Sequence, residues 1–434
     1  MNVLPHGPAA SPPAPRGRGA AVWPKVSLHL PLRDAPPELV RRTLDSLAAL
    51  DYPELEVLVV DTHTTEPGLW EAVAEHCARL GPQFRFFHLG PWPGFRAGAL
   101  NFALRETAAD ATLVGILKAG EVVRHRWLRR MVPLFRDPSL ALAQSPLEAL
   151  PLEPTHLDQL AQAERETRQG PQDALLPLNA LPLLRLAALR QAGGWDESSL
   201  CPEAAPGVTL LRHGWETTLA PQPMGRALAQ DTFPAWRSRR HRQVAGTTLA
   251  LRGVLAPGRA FTLQQKRGLL RIAAPALADA AALAGVAASL ACSAMALREG
   301  VETRLPFWLL PLLLVLALLP VLRAGGHGGL AALGSMALSW RMGRAAWQGL
   351  LGIRAPHAGG VRMETMLLAV LWAAALAVVL ARPWNQSGTL LWAGLLVLQS
   401  LPGLATLAVA ALPGRQPTGR GAGFGFRRHA TGSW

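Results

Sequence analysis

The chain has 434 residues, half of them hydrophobic, and its 43 basic against 29 acidic residues leave a formal charge of +14. That much apolar material argues against a disordered chain or a small stapled domain. Cys77, Cys201 and Cys292 lie far apart and form no CxxC pair, which argues against a disulfide framework or a zinc ribbon. Lysine occurs only at positions 25, 118 and 266, so the basic excess is almost entirely arginine.

The first 23 residues are rich in Pro, Ala and Gly and contain no apolar run of signal-peptide length, so they read as a disordered lead (1–23). From Lys25 short β-like runs alternate with amphipathic helical stretches. Val26–Leu30 precedes a helix around 38–49, Glu56–Asp61 one around 69–80, and Phe84–Leu89 one around 97–105; Thr112–Leu117 is a fourth strand. Alternation of this kind predicts an α/β domain with a mainly parallel sheet covered on both faces, whose ligands gather at the carboxyl ends of the strands. Asp61 stands at such an end. It can accept from a ribose or a base, or cap the helix that follows.

The last third of the chain is different. Runs at 272–297, 305–322, 366–381 and 389–412 each approach the length needed to cross a bilayer core of roughly 30 Å. The expectation is a transmembrane region over 271–412 with four helices. Asp279 falls inside the first of them, where an ionisable group faces protein or water rather than lipid. Arg323, Arg341, Arg344, Arg354 and Arg362 lie between the second and third runs, and the tail (413–434) carries four arginines and no acid. The positive-inside rule puts both on the cytoplasmic side of an inner, plasma membrane. A basic segment at 233–270, with Trp236 beside Arg237, Arg239, Arg240 and Arg242, and a stretch at 330–353 with Trp340, Arg341, Arg344 and Trp347, read as interfacial segments meeting anionic lipid headgroups. Because the charge gathers beside the apolar runs, the partner it suggests is an anionic bilayer and not nucleic acid.

The strings VSLHLPLRDAPPELVRRTLDSLAALDYPELEVLVVD, FRFFHLGPWPGFRAGALNFAL and LRQAGGWDE resemble the membrane-integrated family 2 glycosyltransferases of the cellulose and β-glucan synthase type, from about Pro24 to Gly246. The resemblance implies a cytoplasmic GT-A-like domain (24–232) that binds a nucleotide sugar such as a UDP-sugar, followed by an all-α transmembrane region. Asp61 falls on the family's first nucleotide-binding aspartate.

Elsewhere the family's functional positions are altered while its scaffolding strings are kept. The Asp-x-Asp motif, which would hold Mg²⁺ or Mn²⁺, falls on Lys118-Ala119-Gly120, and a divalent ion of that kind needs hard oxygen ligands. The neighbouring Glu121 is expected to point elsewhere if the strand end is regular. In the acidic motif that supplies the general base, the aspartate slot holds Glu203, flanked by Pro202 and Pro206. The Gln-x-x-Arg-Trp motif reads Arg239-Arg240-His241-Arg242-Gln243, which keeps Arg242 and loses the indole that would stack on an acceptor sugar.

Two chemistries and one structural role follow from these departures. The domain folds but has lost ordinary catalysis; or Lys118, with Arg96, Arg239 and Arg242, stabilises the leaving diphosphate in place of a metal and Glu203 acts as base; or the chain is a membrane scaffold for an active synthase.

Overall fold

The computed structural model describes residues 23–149, 160, 180–197, 204–227, 233–255, 261–299, 309–325, 329–353, 361–381 and 387–412. Glu203 and both termini lie outside the described residues.

The first four strands, β1 (Lys25–Leu32), β2 (Leu55–Asp61), β3 (Phe84–His88) and β4 (Ala111–Ile116), pair in parallel in the order β3-β2-β1-β4. Their connections are α1 (Pro37–Ala48), α2 (Pro67–Leu80) and α3 (Phe95–Glu106). β1 and β2 are buried along almost their whole length, as a central parallel strand covered on both faces must be. Beyond β4 the sheet turns mixed. After the short β5 (Glu121–Val123), β6 (Leu140–Ala149) and β7 (Ala180–Arg185) run antiparallel to each other, and β7 runs antiparallel to β4. β8 (Glu216–Leu219) and β9 (Gly225–Ala227) join β6 in parallel, and β9 pairs with β5. The result is the GT-A-like domain that the sequence implies.

Trp127 and Leu128, on the short α4 (Trp127–Met131), pack against β1 and the turn after β4 from one side. The core is tight at Gly115, where a Cβ would stand 2.5 Å from Leu28 Cδ2. α5 (Leu186–Gln191) and α6 (Ala204–Arg212) complete the second core, which holds Val114, Leu184 and Trp195.

The helical region consists of α7 (Phe233–Leu255), α8 (Leu263–Glu299), α9 (Leu309–Gly325), α10 (Gly329–Leu351), α11 (Arg362–Ala381) and α12 (Ser387–Ala410). Among the described residues three segments are long and apolar enough to cross a membrane: Gln265–Arg298, Arg362–Ala381 and Thr389–Ala410. The second apolar run of the sequence appears as a shorter apolar helix, Leu309–Leu322.

The stretch at 330–353, expected to be interfacial, packs against other helices along one side. Trp340 and Arg341 are buried, where α10 meets α7, α8 and α12. Small residues allow that approach: a Cβ on Gly343 would come within 2.5 Å of the Asp279 carbonyl oxygen of α8, and one on Gly349 within 2.4 Å of the Ala245 carbonyl oxygen of α7. Composition could not distinguish an arginine–tryptophan helix that meets headgroups from one enclosed by neighbours. Arg237 of the basic segment is buried likewise, ion-paired with Glu364. Asp279 is buried and accepts a hydrogen bond from Ser339 Oγ at 2.6 Å.

His29 gives the domain a pH dependence. Its ring, fully enclosed in β1, meets Thr107 Oγ1 at 2.9 Å and Ser27 Oγ at 3.2 Å, and burial drives it down to about 3 from 6.5. A histidine that stays neutral when folded contributes stability that is present above the unfolded value and lost as pH falls toward the folded one. Between about pH 7 and pH 5 this group should remove about 2 kcal/mol. Denaturant unfolding of wild type and His29→Asn checks it: the variant should lack that part of the acid loss, and identical pH profiles would exclude His29 as the source.

Candidate functional site

The carboxyl ends of β1, β2, β3 and β4 gather the residues that the sequence marks. Asp61 ends β2 and is 3% exposed. Its Oδ1 accepts from Thr64 Oγ1 at 2.7 Å, and its Oδ2 meets His88 Nδ1 at 2.8 Å. Thr64 in turn accepts the Asp34 backbone N–H at 2.9 Å, so the loops after β1 and β2 are tied through this one carboxylate. Burial pushes the Asp61 carboxyl above its ordinary value, with Thr64 and His88 pulling the other way. His88, at the end of β3, stacks on Trp70 of α2 with ring centroids 4.4 Å apart.

An exposed aromatic ring stands beside this network. Phe95 opens α3 with φ +48 and is 56% exposed; His63, at φ +62, stacks on it at 5.6 Å, and the Arg33 guanidinium carbon lies 6.0 Å from its ring centre. Both backbones lie in the left-handed region, which costs a side-chain-bearing residue of order 1 kcal/mol or more and persists only where the surroundings impose it. Neither Phe95 nor His88 stands out in the sequence. His88 reads as the last residue of an ordinary strand, and Phe95 as a helix N-terminus.

The position of the metal motif is rebuilt as a tight turn. The Glu121 N–H donates to the Lys118 carbonyl at 3.0 Å, and Glu121 Oε2 accepts the Lys118 N–H at 2.9 Å. Gly120 sits at φ +86 and donates its N–H to Thr43 Oγ1 at 2.9 Å, while Ser46 Oγ accepts the Val123 N–H at 3.2 Å. Only a residue without Cβ takes that φ freely, so the turn keeps glycine there. The chain reverses before Glu121, whose carboxylate returns to the Lys118 N–H, so the strand end is not regular, the condition on which its expected direction rested.

Glu121 is buried, and burial raises its carboxyl above the ordinary value. The positive charges that act on it most strongly in the other direction are Lys118, Arg239 and Arg96. Three residues singled out from the sequence, on the β4 turn, on α7 and on α3, therefore share the field of one carboxylate that sequence reading set aside. Arg242 follows on α7, half-buried, and is not among these leading charges; Gln243 is buried and accepts from Arg240 Nη1 at 2.7 Å. Glu203 lies outside the described residues. Among the described residues no three His, Cys, Asp or Glu side chains gather as a metal site would require. Lys118 and a carboxylate already engaged by the Lys118 backbone do not fit a divalent cation.

Behind the site, Asn101 clamps α3 to the Gly193–Trp195 turn. Its Oδ1 accepts the Trp195 N–H at 2.9 Å, and its Nδ2 donates to the Trp195 carbonyl at 2.9 Å and to Glu197 Oε1 at 2.8 Å.

A mainly parallel sheet with these loops at its carboxyl edge is a GT-A-like α/β arrangement. Residues 27–172 match the family model described as "Glycosyl transferase family 2". The β-monoglucosyldiacylglycerol synthase of Synechocystis sp. is 26% identical over 238 residues, 51% of this chain and 48% of that protein. The UDP-forming cellulose synthase 1 catalytic subunit of Komagataeibacter xylinus is 24% identical over 247 residues, 54% of this chain and 32% of that protein. A solved mannosyltransferase from Pyrobaculum calidifontis, in complex with GDP-Man and Mn²⁺, covers 89% of this chain and 88% of its own at 16% identity, with a TM-score of 0.47. The chain spans about half the length of the curated relatives it matches first.

The clamp is testable. Asn101→Ala removes three hydrogen bonds and leaves Trp195 backbone groups without their partner, so it should cost about 2–4 kcal/mol. Denaturant titration reads this, and a loss under about 0.5 kcal/mol, the scale of a surface change, would show that the turn is held otherwise.

Proposed function

We propose that this protein is a membrane-associated, family 2 glycosyltransferase-like protein whose domain binds a nucleotide sugar, with the diphosphate held by Lys118, Arg96 and Arg239 and not by a divalent cation. The observation that carries the reading is the shared field at Glu121. Three cations act on that one carboxylate, and the diphosphate of a nucleotide sugar, with one negative charge on each phosphate, is a ligand of the sign they attract. A fixed guanidinium or ammonium can take over the electrostatic part of a metal's task, which is to stabilise developing charge on the leaving group. The Phe95–His63 pair offers a face for a base or sugar ring at the mouth of the same edge.

Ordinary metal-dependent transfer is lost in this reading, since the Asp-x-Asp ligands are replaced. The cationic cluster favours a second possibility, slow metal-independent transfer with Glu203 as base. The engagement of Asp61 by Thr64 and His88 favours a scaffold role beside an active synthase, because both its oxygens already have partners. The three long apolar helices support attachment to a membrane, and the arginine excess of the connections and tail supports a cytoplasmic position for the domain and the C-terminus.

Calorimetry with UDP in EDTA decides between these. Wild type should bind UDP with no divalent ion present, and Lys118→Ala and Arg239→Gln should each weaken it about tenfold or more, as loss of a charge-assisted hydrogen bond does. Binding that requires added Mn²⁺, or that survives both substitutions unchanged, contradicts the metal-free site. Release of labelled sugar from UDP-glucose in EDTA, abolished by Lys118→Ala, would mark the transferase reading; no turnover with intact binding would mark the impaired one.

A further inference from the structure

A second charged cluster lies within the helical region, away from the β4 turn. Arg237 of α7 is ion-paired through Nη2 with Glu364 Oε1 of α11, both side chains 1% exposed. Its guanidinium carbon lies 5.2 Å from the Phe233 ring centre. Arg341 of α10 is buried and lies within the electrostatic reach of Arg237, Glu364 and Arg344. Arg344, one turn further along α10, is half-buried and points Nη1 at Met363 Sδ, 3.4 Å away.

Among the described residues, three guanidinium groups stand against one carboxylate in this cluster, two positive charges in excess. Among the described residues, Nε and Nη1 of Arg237 and Nε of Arg341 are buried and have no acceptor, and Glu364 Oε2 has no donor. Burying charged donors without acceptors costs several kcal/mol per group after relaxation, and a fold normally avoids it. A carboxylate alone does not satisfy three planar forks, whereas a phosphate presents several acceptor oxygens to exactly this kind of arginine set.

We propose that the space between α7, α10 and α11 is a phosphate-binding site, reached from the half-buried Arg344 side. The phosphate oxygens accept from Arg237, Arg341 and Arg344, and a hydroxyl on or near the phosphate donates to Glu364 Oε2. Two sources fit that chemistry: the headgroup of a phospholipid bearing a glycerol hydroxyl, and free hydrogen phosphate. The site is separate from the Lys118 cluster and does not depend on a nucleotide sugar binding there.

The test uses the full chain. Thermal unfolding is followed in phospholipid-free detergent with inorganic phosphate against chloride at equal ionic strength, and in nanodiscs of phosphatidylcholine alone or mixed equally with phosphatidylglycerol. Wild type should gain about 2–4 °C with at least one of the two probes. Arg341→Gln and Arg344→Gln should lose the gain, while Lys118→Ala keeps it, which separates this site from the nucleotide cleft. Arg344, being half-buried, provides a readable variant if Arg341→Gln does not fold. A gain with phosphate in detergent assigns the soluble ion, and a gain only with phosphatidylglycerol assigns the lipid. No gain with either probe, or a gain that Arg344→Gln retains in full, overturns the site.

Discussion

A carboxylate sealed from water must be neutralised by what surrounds it, and the Glu121 carboxylate organises the edge of the sheet for that reason. The β4 turn folds back so that the Lys118 N–H reaches it, α1 secures the turn through Thr43 and Ser46, and α3 and α7 bring Arg96 and Arg239 into its field. The consequence extends beyond the domain. α7 carries Arg239 toward Glu121 and, two residues earlier, Arg237 toward Glu364 of α11. One helix therefore carries a cation in the field of the sheet-edge carboxylate at one residue and is ion-paired with an apolar helix at another.

The exchange of metal ligands for cations alters what such a site can do. A divalent ion comes and goes with its ligand and adapts its water shell, whereas lysine and arginine are fixed by the fold and always present. Under the proposed function, diphosphate affinity depends on ionic strength instead of metal supply, and the geometry at the leaving group follows from where α3 and α7 sit. Asp61 illustrates the same shift toward internal use: the residue that resembles a nucleotide contact spends its oxygens on Thr64 and His88, and through them joins the loops after β1, β2 and β3.

The strands and helices of the first hundred residues were legible because period-two and helical patterns alternate without interruption from Lys25 to Leu117. The observed bounds differ by one or two residues, at strand ends as well as at helix ends. The convergence of Lys118, Arg96 and Arg239 was legible only as a possibility, since residues on three elements share no local pattern. Glu121 was set aside because a regular strand end was assumed; the signal that could have found it is Gly120, which permits the reversal. The pairing of Arg237 with Glu364 could not be read at all, because the partners are 127 positions apart, one in a basic segment and the other at the start of an apolar run.

The most direct measurement is a map of the full-length protein in nanodiscs with UDP and EDTA. The account predicts diphosphate density within hydrogen-bond distance of the Lys118, Arg96 and Arg239 side chains, above the turn that Glu121 closes. Diphosphate density that appears only after Mn²⁺ is restored, or that lies away from those three residues, would contradict it.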